Sequence, residues 1–331
     1  MNARPTVNAR PSVSTVITTF DRPAGLRRAL ASVCAQPVDG HEVVVVNDAG
    51  PDVSTVVAEA AAALPVRLIT LPDNRGLAAA RKAGIAAARG QFVAFLDDDD
   101  VWLPNHLPIA LAGLDGDGVD AVYTTCLVAH ALAEPGRAVP ARHRFAVPFD
   151  PEVLAVSNLT PIISVVSRRF DPQDSVVDAR GAMQEDWAMW LGLVRGHRWR
   201  MRHLDVATTV YHRVSAAASM TGAAAATVAG VRRFAAGHRL LHQRWPVEPA
   251  SRAGRARWMP HRLYELVEAR HTRGEPVDLY YYEKSLPVIA AAVTQLMDRA
   301  SADAALATAV VPDGVTVPRP RSAAAFEEVI W

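Results

Sequence analysis

The 331-residue chain reads as an α/β protein with a mostly parallel central sheet flanked by helices and a helical C-terminal extension. Three observations predict this. Runs rich in β-branched residues alternate with helically spaced apolar stretches between Ser12 and Leu96. One of those runs, Val43–Val46, is four consecutive valines, the pattern of a strand buried on both faces. Beyond Thr221 the turn-rich pattern gives way to alanine- and arginine-rich helical stretches.

Taken in order, Ser12–Phe20 is a strand ending at Asp21-Arg22-Pro23, and Leu26–Val33 sets Leu26, Ala29, Leu30 and Val33 on one helical face. Glu42–Val46 is the second strand, broken by the turn chemistry of Asn47-Asp48-Ala49-Gly50-Pro51. A helix over Val53–Leu64, a strand at Val66–Leu71, a helix over Leu77–Arg89 stopped by Gly90, and a strand at Phe92–Leu96 complete a run of βαβ units. Asp120–Thr125 and Ile162–Ser167 read as further strands, Pro135–Pro151 as loop and Gln184–Val194 as a helix. The C-terminal helices are expected at Val228–Trp245, Pro260–His271 and Ser285–Ala309, before an extended tail over Pro312–Arg321. The expected organisation is an extended or disordered arm over 1–11, a ligand-binding α/β domain over 12–220 and a helical region over 221–331.

Composition narrows the function. Half the residues are hydrophobic and 21% are charged, enough to bury a large core and too apolar for a disordered chain. Thirty-five basic residues against 34 acidic ones give +1, which argues against a dedicated nucleic-acid binder. Cys34 and Cys126 cannot form a disulfide scaffold or a four-thiolate zinc site. Met1–Ser12 has no apolar core of a signal peptide, and no apolar run reaches the roughly eighteen residues of a membrane span. The expected setting is the cytoplasm, free or peripheral to the inner face of a membrane.

The sharpest chemical feature is Asp97-Asp98-Asp99-Asp100, directly after a strand. Carboxylates crowded there repel one another unless a cation binds, and hard oxygen donors suit Mg²⁺ or Mn²⁺. The carboxyl end of a parallel strand is also where open α/β sheets bind ligands. Asn47-Asp48 ends the valine strand, either as an Asx turn or as a carboxylate facing a base or ribose. Gln184-Glu185-Asp186-Trp187 sets two acids before an apolar helix, which alone would be dipole capping. His212 is isolated in sequence. Arg75-Gly76 and Arg81-Lys82 either balance phosphate charge or solvate a helix face. No phosphate-loop, dinucleotide-binding or nucleophile-elbow motif is present.

In order, these pieces resemble the family-2 glycosyltransferases of the GT-A fold. Val16-Ile17-Thr18-Thr19-Phe20-Asp21-Arg22-Pro23 is similar to that family's first strand and loop. Val44–Gly50 is similar to its second, with Asn47 where aspartate is more usual. Asn74–Arg81 resembles its third motif, with Lys82 where asparagine is common. Gly90–Asp100 resembles the run into its DXD metal motif, and Glu185-Asp186-Trp187 its ED motif. The match covers roughly residues 12–215.

The resemblance implies a nucleotide site at Thr18, Thr19, Phe20, Asp48, Arg75, Arg81, Asp97 and Asp98, with Thr18 and Asp48 at the base and Asp97 on the ribose side. It implies a divalent metal, Mn²⁺ or Mg²⁺, at Asp99 and Asp100, with His212 where related families place a further ligand. It makes Asp186, beside Glu185, the general base. The expected activity is an inverting transfer from a nucleoside-diphosphate sugar, UDP foremost, to an acceptor hydroxyl of a small molecule, natural product or envelope glycan precursor. The alternatives are a sugar nucleotidyltransferase on a similar domain and a non-catalytic nucleotide-sugar-binding protein. No nucleic-acid partner is expected. Trp187, Trp190 and Trp199 could stack on sugars or pack in the core, and the C-terminal helices could pair chains into a homo-oligomer or cap the catalytic domain.

Overall fold

Four parallel strands lay out the edge on which the candidate site sits. In the computed structural model, which describes residues 12–115, 118–173, 184–214 and 225–313, they are β1 (Val13–Thr19), β2 (His41–Asn47), β3 (Val66–Thr70) and β4 (Phe92–Asp97). β1 pairs in parallel with β2 and β4, and β2 with β3. The helices between them are α1 (Pro23–Cys34), α2 (Ser54–Ala61) and α3 (Leu77–Ala87). Every residue of β1 and β2 is buried, as the valine run requires of a sheet covered on both faces. Val44 and Val46 pack with Ala80 of α3, beside Ile69, Leu71, Ala83 and Ala87.

The chain divides into two compact units interleaved in sequence, the second of which extends to both sides of residue 220. The first comprises Met1–Thr124, Ile162–Val177 and Trp199–Thr209. It adds β5 (Val101–Trp102), α4 (His106–Leu114), β8 (Val165–Arg168), and the starts of β6 (Ala121–Ala129) and β9 (Met201–His212). The sheet order is β3-β2-β1-β4-β8-β6-β9-β5. Parallel pairing gives way to antiparallel pairing at β4–β8 and β8–β6, so the sheet is mixed.

The second unit comprises Thr125–Pro161, Asp178–Arg198 and Val210–Trp331. Here β7 (Ala141–Phe145) pairs antiparallel with the end of β6, Cys126 opposite Phe145. The helices are α5 (Pro151–Leu154), α6 (Glu185–Leu191), α7 (Val228–Arg244), α8 (Arg252–Ala256), α9 (Trp258–Thr272), α10 (Tyr281–Val293) and α11 (Arg299–Ala309).

Three expectations change. The Pro135–Pro151 loop contains β7, paired through backbone groups that its composition does not announce. The strand expected at Ile162–Ser167 starts as a 3₁₀ turn, Ile162–Ser164, and pairs only from Val165. The single helix expected over Ser285–Ala309 is two. Gln295 turns left-handed (φ 64°) and Leu296 N–H reaches back to Ala291 O, a Schellman stop. Asp298 then caps α11 by accepting from Ala300 and Ser301 N–H. The 1–11 arm and nearly all of the Pro312–Arg321 tail lie outside the described residues.

Candidate active site

The strand registers bring the first group of residues together. Thr18 lies opposite Val46 on one side and Asp97 on the other, and Thr19 opposite Asn47. Thr18, Thr19, Asp48 and the start of the aspartate run therefore share one carboxyl edge. Thr18, Thr19, Asp48 and Asp98 are each no more than 6% exposed, whereas Phe20 is 48% exposed.

Each acid on this edge has its own partners. Asp98 accepts from Thr19 Oγ1 at 2.7 Å and from Arg22 Nη1 at 3.1 Å. The same Arg22 nitrogen donates to Asp99 at 2.9 Å. Asp97 pairs with the buried guanidinium of Arg81 at 2.9 Å. Asp100 is fully buried. Asp48 accepts from the backbone N–H of Arg75 and of Gly76, both at 2.8 Å, so its carboxylate shapes the Asp73–Gly76 loop directly. Asn47 closes its own turn, accepting from Gly50 N–H at 2.8 Å and donating to Pro51 O at 2.8 Å.

Electrostatically the edge is short of positive charge. Burial, and then the neighbouring Asp97, push Asp99 up to about 7 despite Arg22. Burial also raises Asp98, against the Thr19 and Arg22 hydrogen bonds. Burial opposes the charge on Arg22, but Asp99 and Asp98 overcome it and hold its proton more tightly than usual. No three metal-ligating side chains converge among the described residues. A magnesium-like ion held by one or two carboxylates plus substrate phosphates needs no such cage. The donor set at Asp97–Asp99, all oxygen and under-neutralised, fits that mode of binding.

In the second unit, Glu185 and Asp186 form the first turn of α6. Asp186 Oδ2 accepts from Asn158 Nδ2 at 2.8 Å, and Oδ1 accepts from Trp187 N–H at 2.7 Å. His212 Nε2 accepts from Ala133 N–H at 3.1 Å, so ligating a metal through that nitrogen requires giving up this bond. Trp187 and Trp190 are at most 1% exposed, which assigns them to the core; the Trp187 indole N–H donates to Leu154 O at 2.7 Å.

Arg22 and Asn158 were not legible in the sequence. Arg22 stood in a turn, and only its position before Pro23 at the head of α1 hints that it faces the strand edge. Arg81 read equally well as a surface cation, yet its side chain is 3% exposed and committed to Asp97.

Residues 14–142 match the family model "Glycosyl transferase family 2". Over 201 residues the chain is 30% identical to "Uncharacterized glycosyltransferase YwdF" of Bacillus subtilis, a span of 60% of this chain and 73% of that one. The chain belongs to glycosyltransferase family 2. This family-2 member is also 38% identical over 114 residues to "Succinoglycan biosynthesis protein ExoO" of Rhizobium meliloti, covering 34% of this chain and 33% of ExoO. Its fold is similar to that of S. aureus TarS 1–349, solved in complex with UDP and with UDP-GlcNAc. Each superposes with a TM-score of 0.56 over 90% of both chains, at 17% and 16% identity. The architecture is thus the GT-A fold with C-terminal helices.

Proposed function

We propose that this family-2 glycosyltransferase catalyses an inverting, metal-assisted transfer from a UDP-sugar to an acceptor hydroxyl, with Asp186 as general base. The observation that carries this reading is the carboxylate edge at the end of β4, where burial and Asp97 push Asp99 up to about 7. Such an edge suits a cation arriving with a diphosphate. UDP is favoured as the carrier because TarS, of similar fold, is solved with UDP and UDP-GlcNAc.

In this reading Thr18, Thr19, Phe20 and Asp48 border the base and ribose, with Asp48 setting the Arg75–Gly76 loop. Arg81 pairs with Asp97 on the ribose side. Asp99, with Asp100, would hold a divalent ion, which when bound offsets the charge growing on the diphosphate leaving group. Asp186, its two oxygens oriented by Asn158 and Trp187, takes the proton from the attacking hydroxyl. One base suffices for direct displacement, so the anomeric configuration inverts. The acceptor class is a small molecule or an envelope glycan precursor, and the catalytic region is 12–220. Among the described residues no helix is long and apolar enough to cross a membrane; we place the enzyme in the cytoplasm or at the membrane's inner face.

The test is thermal stability against UDP, dTDP, GDP and CDP, each with and without Mn²⁺. A ligand that binds only the native state raises the melting temperature by mass action. A Mn²⁺-dependent rise with UDP is expected, and no rise with any nucleotide would overturn the reading. Asp186→Asn should abolish transfer and retain the UDP shift; a variant as active as the parent removes Asp186 from the role of base.

A further inference from the structure

Asp186 is gripped by a second residue that no motif predicts. Asn158 Nδ2 donates to its Oδ2 at 2.8 Å while Trp187 N–H holds Oδ1, so both oxygens are fixed and the carboxylate cannot rotate. The amide must face the carboxylate through its nitrogen, since its oxygen would be repelled. An amide donor steadies the charge without competing for the proton. Asn158 Oδ1 is buried with no hydrogen-bond partner among the described residues. Packing alone would favour an apolar side chain at such a position. Among the described residues the side chain's one hydrogen bond is thus the one to Asp186.

Asn158 is itself held from the C-terminal helices. Tyr282, on α10, donates its phenolic proton to Asn158 O at 3.1 Å. That proton is then spent, so Ser157 Oγ is the donor in its 2.9 Å contact with the Tyr282 oxygen. Burial pushes the Tyr282 phenol up, the Ser157 hydrogen bond opposes this, and the nearby Asp186 charge adds to the rise. Tyr282 therefore stays a neutral donor. The other side of the same turn is tied down by Gln184, whose amide donates to His238 Nδ1 at 2.5 Å, a nitrogen that also lies 3.1 Å from the Tyr264 hydroxyl oxygen.

We propose that Asn158 is a positioning residue for the Asp186 carboxylate, held to that task by Tyr282, and that this is what the C-terminal helices contribute to the reaction. The proposal rests on the reading of Asp186 as the base. Among the described residues, the titratable groups beside that carboxylate include Glu185, its neighbour on α6, and Tyr282, uncharged at neutral pH.

The test follows the Asp186 carboxyl by ¹³C NMR in protein labelled at aspartate Cγ, the signal lost in Asp186→Asn being that of Asp186. Asn158→Asp replaces the donor with a second carboxylate, and two like charges at that spacing share a proton. The Asp186 midpoint should rise by about one pH unit or more relative to the parent. Tyr282→Phe, which keeps the ring, should move it in the same direction by less. With a UDP-sugar that supports transfer by the parent, Asn158→Leu should lower kcat about tenfold and leave the donor KM within about twofold. An Asp186 signal that titrates identically in the parent, Asn158→Asp and Tyr282→Phe overturns the proposal. Undiminished transfer by Asp186→Asn would instead overturn the base reading, while the titration still reports on the contact.

Discussion

Gly25 sits in the first turn of α1, where a Cβ would lie 2.4 Å from the backbone oxygen of Asp98. Helix propensity alone predicts that Gly25→Ala stabilises the protein by about 0.5–1 kcal/mol. The structure predicts the opposite sign. Ordinary contact begins near 3.4 Å, so α1 and the aspartate turn must separate by about 1.0 Å (3.4 less 2.4), and a backbone oxygen cannot rotate aside. The 2.7 Å bond from Thr19 to Asp98 would stretch beyond hydrogen-bonding range if that displacement fell on it. Overpacking costs about 1–3 kcal/mol and a lost hydrogen bond to a buried carboxylate about 1.5–3. Less the helix gain, the net loss is about 1.5–5.5 kcal/mol. Urea unfolding of the parent and the variant, followed by circular dichroism, measures it. The Mn²⁺-dependent UDP shift should weaken in parallel, because the displaced turn carries Asp98 and Asp99. An alanine variant as stable as the parent, or more so, would refute the close approach of α1 to the aspartate turn.

Two further outcomes test the electrostatics. Asp99 is raised from an ordinary 3.8 to about 7, so the folded state keeps a proton that the unfolded chain releases between those values. Stability from this group is fully present below about pH 4 and is lost as pH rises through about 7. Metal-free Asp99→Asn should therefore match the parent near pH 4 and exceed it by about 1–3 kcal/mol at pH 8. A constant difference across that range would contradict the assignment, as would a Mn²⁺ stabilisation of the parent that shrinks from pH 5 to 8. In the second unit, Arg213 and Glu283 form a buried ion pair at 2.6 Å, their side chains 5% and 1% exposed. Arg213→Met should cost about 3–5 kcal/mol by stranding the carboxylate, and adding Glu283→Leu should restore most of it; equal stability of the single and double variants in urea would count against that account.

The strand edge was legible because its signals are local. Val43–Val46 cannot sit at a surface, the Asn47–Pro51 turn chemistry marks where β2 ends, and the aspartates directly follow an apolar strand. The partners of those aspartates were not legible, because pairing depends on contacts far apart in sequence. Arg22 reaches acids 76 and 77 residues away, and Asn158 reaches one 28 residues away. β7 hid within a Pro/Arg-rich stretch because its residues alternate only partly between buried and exposed, with the ladder to β6 fixing it. The break between α10 and α11 was missed because Gln295, not glycine, takes the left-handed position.

Arg22 explains how so acidic an edge can fold before any donor arrives. One guanidinium nitrogen, bridging Asp98 and Asp99, offsets part of the repulsion, and Arg81 does the same for Asp97. The compensation is incomplete, since Asp99 still stands at about 7. Full neutralisation by fixed arginines would leave no electrostatic reason to take up a divalent ion or to release it with the diphosphate. None would leave four buried or half-buried carboxylates to be protonated, and a protonated acid is a poor ligand. Partial neutralisation keeps Asp98 and Asp99 in place while their affinity for a hard cation persists. On the proposed function, that balance is what lets one strand end serve both as structure and as a site refilled with each donor.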